Sequence, residues 1–176
     1  QPTTNFIKHT SKNPLQKFFI NNFNSNLIKL SKSIAPKTIL DAGCGEGFTI
    51  NSLSKNKIGE RIEGIEFLKE AIELGKKLFP KAKIKQGNIY SLPYEDNSFD
   101  LVLCTEVLEH TDNDTAAMSE IRRVLRKGGI LVVTVPNLYF PWTYDPINAF
   151  LRFFNTHLPI GLWAWDHKRL YSFKSI

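Results

Sequence analysis

One short stretch of the chain combines a carboxylate with closely spaced glycines, a pattern suited to holding a ligand. Residues 40–47 read LDAGCGEG, so glycine follows Asp41 at every second position. Glycines in this arrangement let a backbone approach a ligand closely. A dinucleotide-binding loop would need Gly or Ala at position 48, which is Phe48, and a phosphate-binding loop would need a lysine directly after Gly47. The residues therefore favour a ligand that places a cation, rather than a phosphate, near Asp41.

A second group of chemically capable side chains lies in the run CTEVLEH and is joined by a later histidine. Glu106, Glu109 and His110 recur at spacings of three and four, which predicts one face of a single helical turn. His167 follows in the segment WAWDHKRLYS. Three interpretations stay open. Glu106, His110 or His167 acts as a general base or orients an acceptor hydroxyl. Alternatively, the four side chains bind a divalent metal such as magnesium, manganese or zinc, or they only cap and pack.

Strands that alternate with helices are expected to position these side chains. Strands are predicted at residues 37–41, 61–66, 82–86, 99–104 and 130–135. Helices are predicted from Pro14, capped by Asn13, to just before Pro36, and at residues 48–53, 67–79 and 111–126, the last ending at Lys127-Gly128-Gly129. This order predicts an α/β fold, with a doubly wound, mainly parallel sheet and helices on both faces. Ligands of such sheets bind at the carboxyl ends of the strands.

Four segments, in order, resemble the motifs of class I S-adenosylmethionine-dependent methyltransferases. They are ILDAGCGEG (39–47), GIEFLKEAIELGKK (64–77), QGNIYSLPYEDNSFDLVLCTEVLEH (86–110) and EIRRVLRKGGILVVTVPN (120–137). The resemblance covers roughly residues 37–137, with a further match near 166–172. It implies a Rossmann-like methyltransferase sheet, a methyltransferase activity and S-adenosylmethionine as the cofactor.

The resemblance also implies a role for each matching residue. Asp41 and the glycine loop would hold the methionine moiety, and Glu66 would accept hydrogen bonds from the ribose hydroxyls. Asn88, with Ile89, would face adenine. Family members more often have Asp where this chain has Asn88, whose amide can both accept and donate. The expected cofactor-binding residues are Asp41, Gly43, Cys44, Gly45, Gly47, Glu66, Phe67, Asn88, Ile89 and Thr105.

The acceptor is best judged from the aromatic residues near the end of the sequence. Residues 139–173 hold 11 of the 21 aromatic side chains, and the only basic side chains between 139 and 166 are Arg152 and His157. Proteins that bind single-stranded nucleic acid interleave aromatic with basic residues. The stretch therefore favours a small, fairly apolar acceptor, with O-methylation as the expected reaction. The ExxEH run resembles ubiquinone-pathway O-methyltransferases and, with the DHK-like segment, small-RNA 3′-terminal 2′-O-methyltransferases, so a metal-assisted RNA methyltransferase is the alternative.

Charge and composition exclude several other classes. The formal charge is +6, and residues 1–36 contribute five lysines and no acid, so 18 basic and 17 acidic residues leave the remainder at +1. The leading segment could meet phosphate or an anionic membrane surface, or be a solvated helix face. No run of 18 apolar residues predicts a membrane span. No signal-peptide pattern is present and two cysteines are too few for a disulfide framework, so cytoplasm is the expected location.

Three segments are expected along the chain. Residues 1–36 would form a helical leader, 37–137 the S-adenosylmethionine-binding core and 138–176 an aromatic lid or acceptor-binding segment. The resemblance implies a further helix and an antiparallel hairpin beyond Ile176, so the sheet is expected to lack that hairpin. An uncovered edge of the fifth strand could then pair two copies as a homodimer. A catalytically silent cofactor-binding partner subunit is the other alternative to an enzyme.

Overall fold

The computed structural model describes residues 3–135, which form one parallel sheet with helices on both faces. The chain starts with two helices, α1 (Thr4–Thr10) and α2 (Pro14–Ile34). Strands and helices then alternate as β1 (Thr38–Ala42), α3 (Phe48–Lys55), β2 (Arg61–Glu66), α4 (Lys69–Leu78) and β3 (Lys83–Gln86). The remaining elements are β4 (Phe99–Thr105), a 3-10 turn (Leu108–His110), α5 (Asp114–Val124) and β5 (Leu125–Thr134).

The strand order is β3-β2-β1-β4-β5, and every pair is parallel. Asp41, near the end of β1, pairs with Gly64 of β2 on one side and Leu103 of β4 on the other. β1 and β4 are neighbours in the sheet but not in sequence, so the strand order reverses between them. Ligands of doubly wound sheets bind at such a reversal. The predicted fold class is therefore confirmed.

Alternation along the strands explains why both faces are covered. In β4, Leu101 and Leu103 pack with Leu27 of α2 and Leu53 of α3. The intervening Val102 and Cys104 point to the opposite face, where the core includes Ala117, Ile121 and Val124 of α5. Because both faces of β4 are apolar, its sequence reads as a nearly continuous hydrophobic run.

The junction of α5 and β5 differs from the prediction. The helix ends at Val124, and β5 begins at Leu125, before the Lys127-Gly128-Gly129 signal and not after it. The last carbonyls of α5 are already satisfied, because the N–H groups of Asn97 and Ser98 donate to the carbonyls of Arg123 and Val124. The glycines lie instead in an irregularity of β5, where Leu125 pairs with Phe99 and Ile130 with Leu101.

The two N-terminal helices were only partly predicted. Asn13 caps α2, accepting from the N–H groups of Leu15 and Gln16, and Pro14 occupies its first turn, as expected. The separate helix α1 was not predicted.

None of the described helices has the length and apolarity needed to cross a membrane. The division into three segments remains a prediction, and residues 138–176, with His167 and the aromatic stretch, lie outside the described residues.

Candidate functional site

The glycine loop folds back over the end of β2. The N–H groups of Gly43 and Cys44 both donate to the carbonyl of Ile65, over 2.8 and 3.0 Å. Gly43 has φ +84°, and a Cβ there would lie 2.4 Å from Val107 Cγ2. Only glycine therefore fits both the left-handed backbone and the approach of the loop that follows β4. The loop is thereby held between the carboxyl ends of β1, β2 and β4.

Glu66 connects this loop to β2. Its Oε2 accepts from the N–H of Gly45 at 2.9 Å, and its Oε1 accepts from the N–H groups of Phe67 and Leu68 at 2.7 and 2.8 Å. Three backbone donors therefore fix the carboxylate in one orientation. The carboxylate has about four lone-pair sites and three of them are used, so Oε2 retains one site to which a ribose diol can donate.

Asp41 is the least satisfied group at this edge of the sheet. It is 1% exposed, and neither carboxylate oxygen has a hydrogen-bond partner among residues 3–135. Burial, and secondarily the charge of Glu66, raises the pKa of Asp41 to about 7. A buried carboxylate without a partner is costly unless a cation or donor meets it. The site therefore suits a ligand that brings a positive charge to the end of β1.

Helix α1 lies against the glycine loop through a residue that sequence reasoning did not single out. Glu46 is fully buried and accepts hydrogen bonds from Thr3 Oγ1 and from Asn5 Nδ2, the latter at 2.5 Å. The ring of His9 stacks on Phe48, with centroids 4.2 Å apart and planes 6° apart. Burial lowers the pKa of His9, although the charge of Glu46 acts in the opposite direction. Thr3 caps α1 by accepting from Phe6 N–H, and this capping pattern is the signal that sequence reasoning missed.

The ExxEH run does not form the expected helical face. The 3-10 turn begins at Leu108, so Glu106 precedes it, and Glu106 and His110 are exposed whereas Glu109 is fully buried. The reason is that Glu106 has φ +56°, which ends β4 with a left-handed residue instead of starting a helix. Its N–H donates to the Thr134 carbonyl at 3.0 Å, and its Oε1 accepts from Thr134 Oγ1 at 3.1 Å.

Glu109 is a second buried carboxylate whose oxygens lack hydrogen-bond partners within residues 3–135. Burial, followed by the charge of Glu106, raises its pKa to about 8. The charges of Asp41 and Glu109 both contribute, after burial, to raising the pKa of Cys104 to about 12.

Residues 3–135 contain no group of three or more His, Cys, Asp or Glu side chains that could hold a metal ion. The four-residue metal hypothesis stays a prediction, because its member His167 is not described.

The predicted adenine contacts lie in the turn after β3. Asn88 Oδ1 accepts from Tyr90 N–H at 3.0 Å, so its oxygen already stabilises the turn. Ile89 is partly buried against the core, and Phe67 is exposed. The Tyr90 hydroxyl accepts from Asp112 N–H at 2.7 Å and so joins this turn to the start of α5. The structure thus brings the ends of β1, β2, β3 and β4 to one edge, as the sequence predicted, with Thr105 at the end of β4.

Comparison with known proteins shows which family this chain is similar to. Residues 40–133, more than half of the chain, match the family described as a methyltransferase domain. A probable S-adenosylmethionine-dependent methyltransferase of Mycolicibacterium smegmatis is 32% identical over 124 residues, which cover 69% of this chain and 48% of that protein. A demethylmenaquinone methyltransferase of Staphylococcus aureus is 37% identical over 98 residues, which cover 53% and 40%. The chain spans about half the length, or less, of these curated relatives.

Solved structures with a similar fold include the YcgJ protein of Bacillus subtilis. Its TM-score is 0.67 at 24% identity, covering 88% of this chain and 64% of that one. CalS10, a Micromonospora amino pentose methyltransferase solved with S-adenosylmethionine bound, has a TM-score of 0.57 at 19% identity, covering 64% and 49%. At these identities the likeness supports the fold alone.

Proposed function

This chain belongs to the class I S-adenosylmethionine-dependent methyltransferases, and we propose that it binds S-adenosylmethionine and transfers its methyl group to a small, fairly apolar acceptor. The observation that carries the proposal is Asp41, a buried carboxylate without a partner among the described residues, directly before the glycine loop. A cationic cofactor supplies the missing positive charge. Since the chain spans only part of its relatives, the activity of the whole protein is inferred from this site.

The described residues fit the parts of the cofactor. Asp41 would attract the cationic methionine moiety, and the backbone of the loop at Gly43 and Gly45 would pass close to it. Glu66, fixed by three N–H donors, would accept from the ribose hydroxyls. The remaining contacts would come from the ends of β2, β3 and β4, through Phe67, Asn88, Ile89 and Thr105, and from the loop residues Cys44 and Gly47.

When bound, the cofactor supplies an electrophilic methyl group on a sulfonium. The chain's part is to align an acceptor with that methyl group and to exclude water, which contributes up to about 7–11 kcal/mol in well-oriented reactions. If the acceptor is a hydroxyl, a base that removes its proton adds about 10²- to 10⁴-fold. We propose Glu106, His110 or His167 for that role. Glu106 is supported by its place at the end of β4, where Thr134 orients its carboxylate and its left-handed φ of +56° marks a strained backbone.

The acceptor class has two supports. One is the aromatic composition of residues 139–166, where Arg152 and His157 are the only basic side chains. The other is the Staphylococcus aureus relative, which is named for a quinone acceptor, demethylmenaquinone. An apolar ring system bearing a reactive hydroxyl or carbon is therefore the acceptor class that we favour.

The direct test measures transfer of labelled methyl groups from S-adenosylmethionine to a quinol analogue and to RNA 3′ ends, with EDTA or with added manganese. We expect transfer to the quinol that EDTA does not reduce. Glu106→Gln or His110→Ala should lower kcat by about 10²- to 10⁴-fold if that residue is the base. Glu73→Gln, an exposed substitution on α4, is the matched control.

Two other outcomes would replace the proposal. Manganese-dependent transfer to RNA ends alone would establish the RNA 2′-O-methyltransferase alternative. Cofactor binding without transfer to any acceptor tested would favour a non-catalytic partner subunit.

A further inference from the structure

Helix α2 carries an apolar surface that the described fold leaves exposed. Only Leu27 and Ser31 of its 21 residues are buried, so most of the helix contributes little to the core. Its exposed apolar side chains include Leu15, Phe18, Phe23 and Leu30, which we call the α2 patch. Leu15 and Phe18 are each 64% exposed. Large apolar side chains exposed in a contiguous group mark an interaction surface more often than scattered ones do.

The spacing of the α2 patch places it along one side of the helix. Leu15, Phe23 and Leu30 are separated by eight and seven residues, about two turns each, and Phe18 lies about one turn beyond Leu15. The patch is therefore a strip about 23 Å long, from the rise of an α-helix over fifteen residues. A strip of this shape suits a partner that lies along the helix.

The charge beside this strip has one sign. Residues 1–36 contain five lysines and no acid, while the rest of the chain is nearly neutral. Lys12, Lys17, Lys29 and Lys32 are exposed, and none of them forms an ion pair with any residue between 3 and 135. At 100° per residue Lys29 and Lys32 lie at one edge of the strip, whereas Lys17 lies on the opposite side of the helix. An apolar strip with unpaired lysines at its edge complements a partner with an apolar interior and an anionic surface.

We propose that α2 binds an anionic membrane surface, with the α2 patch inserted at the boundary of headgroups and acyl chains and with Lys29 and Lys32 facing lipid phosphates. A second copy of the chain fits less well, because two equally basic helices would repel each other. Single-stranded nucleic acid also fits less well, because Leu15 and Leu30 cannot stack on bases. The proposal does not depend on the methyltransferase activity. Membrane binding would place the chain at a surface where an apolar methyl acceptor is concentrated.

Vesicle co-sedimentation of the whole chain tests this proposal. Mixed phosphatidylcholine and phosphatidylglycerol vesicles should sediment the protein, and pure phosphatidylcholine vesicles should sediment much less of it. Added salt should weaken the binding, because it screens the lysines. Lys29→Gln should weaken the partition constant about fivefold. Phe18→Ser should weaken it by roughly tenfold or more, through the apolar area lost.

Two substitutions on α4 are matched controls. Lys76→Gln and Leu78→Ser make comparable chemical changes at an exposed lysine and an exposed apolar side chain. They lie on a helix that also carries Glu70 and Glu73, so its surface is not uniformly basic. Both control variants should bind vesicles like the unmodified chain. Far-ultraviolet circular dichroism of all four variants checks that the fold is intact.

Three results would overturn the proposal. The first is a chain that stays in the supernatant with the mixed vesicles. The second is an oligomer, seen by light scattering, that Phe18→Ser dissociates while no vesicle binding occurs, which would assign the α2 patch to a second copy. The third is binding to single-stranded RNA, without vesicle binding, that Lys29→Gln weakens and Phe18→Ser leaves unchanged.

Discussion

The N–H of Gly45 donates a hydrogen bond to Oε2 of Glu66 over 2.9 Å, so one carboxylate joins the glycine loop to the end of β2. The other oxygen of Glu66 accepts from Phe67 and Leu68. These hydrogen bonds orient the Glu66 carboxylate before any ligand arrives, which reduces the conformational cost of binding. Glu66 therefore supports the loop and, in our account, also receives the ribose hydroxyls.

The ribose assignment predicts a specific pattern of affinities. Glu66→Ala should weaken binding of S-adenosylhomocysteine by about 10- to 100-fold, since hydrogen bonds to a charged group contribute about 1.5–3 kcal/mol. A 2′-deoxyribose analogue should bind the unmodified chain more weakly than the parent compound does. The same analogue and the parent should bind Glu66→Ala almost equally. Calorimetric titration of both compounds into both proteins gives the coupling free energy directly.

Glu73→Gln is the control for this cycle, because its carboxylate is exposed on α4. A deoxy analogue that loses as much affinity toward Glu66→Ala as toward the unmodified chain would show that the ribose hydroxyls are held elsewhere.

Asp41 predicts how the stability of the ligand-free chain changes with pH. Its folded-state pKa of about 7 lies above the unfolded value of about 3.9. The folded chain therefore binds more protons than the unfolded chain between those values, and the free energy of unfolding falls as pH rises through this window. Asp41→Asn should remove about 2–3 kcal/mol of the decline between about pH 5 and pH 8. Urea unfolding of both proteins at the two pH values measures it.

The absolute stability of Asp41→Asn is a poorer readout, because a buried amide also needs partners. The change in the free energy of unfolding with pH isolates the effect of the Asp41 charge. Identical slopes for Asp41→Asn and the unmodified chain would contradict a raised pKa at this position.

The raised pKa of Glu109 predicts a second decrease in the free energy of unfolding, at higher pH. Its pKa of about 8 also lies above the unfolded value, so its destabilising effect grows up to about pH 8 and is complete above it. Glu109→Gln should flatten the decline that remains in Asp41→Asn between about pH 7 and pH 8. The measurement is urea unfolding of the double variant against each single variant. A Glu109→Gln variant with an unchanged slope would indicate that the Glu109 carboxylate has a partner in solution.

The two cysteines predict slow chemical modification. Cys44 and Cys104 are free and buried. Burial is the main cause that raises the pKa of both thiols, that of Cys104 to about 12. At about pH 8 each should react with an aromatic disulfide reagent at least about 10³-fold more slowly than free cysteine, since the thiolate is the reactive form. Two thiols should then react rapidly in denaturant. Fast reaction of either thiol in the folded chain would contradict the burial described here.

Much of the fold could be predicted because its strands are buried on both faces. Runs such as FDLVLC are then continuous and are easily recognised. The end of α5 was misjudged because a glycine pair usually stops a helix, whereas here Asn97 and Ser98 cap the last carbonyls earlier. That contact joins distant parts of the chain and leaves no local signal.

The gathering of Asp41, Glu66 and Asn88 at one edge of the sheet could be predicted from local signals. Each lies at or just beyond the end of a strand, and the carboxyl ends of parallel strands meet at one edge. Glu46 was missed because its partners, Thr3 and Asn5, lie some forty positions earlier. The orientation of Glu109 could not be predicted because it depends on the left-handed backbone at Glu106, which spacing alone does not reveal.

Calorimetric titration of S-adenosylmethionine and of NAD into the unmodified chain and Asp41→Asn tests whether Asp41 and the glycine loop hold a cationic cofactor. We expect S-adenosylmethionine to bind the unmodified chain and NAD not to bind. Asp41→Asn should weaken S-adenosylmethionine binding by about 10- to 100-fold, since a charge-assisted contact contributes about 1.5–3 kcal/mol. Tight NAD binding without S-adenosylmethionine binding, or full S-adenosylmethionine affinity in Asp41→Asn, would show that Asp41 does not hold this cofactor.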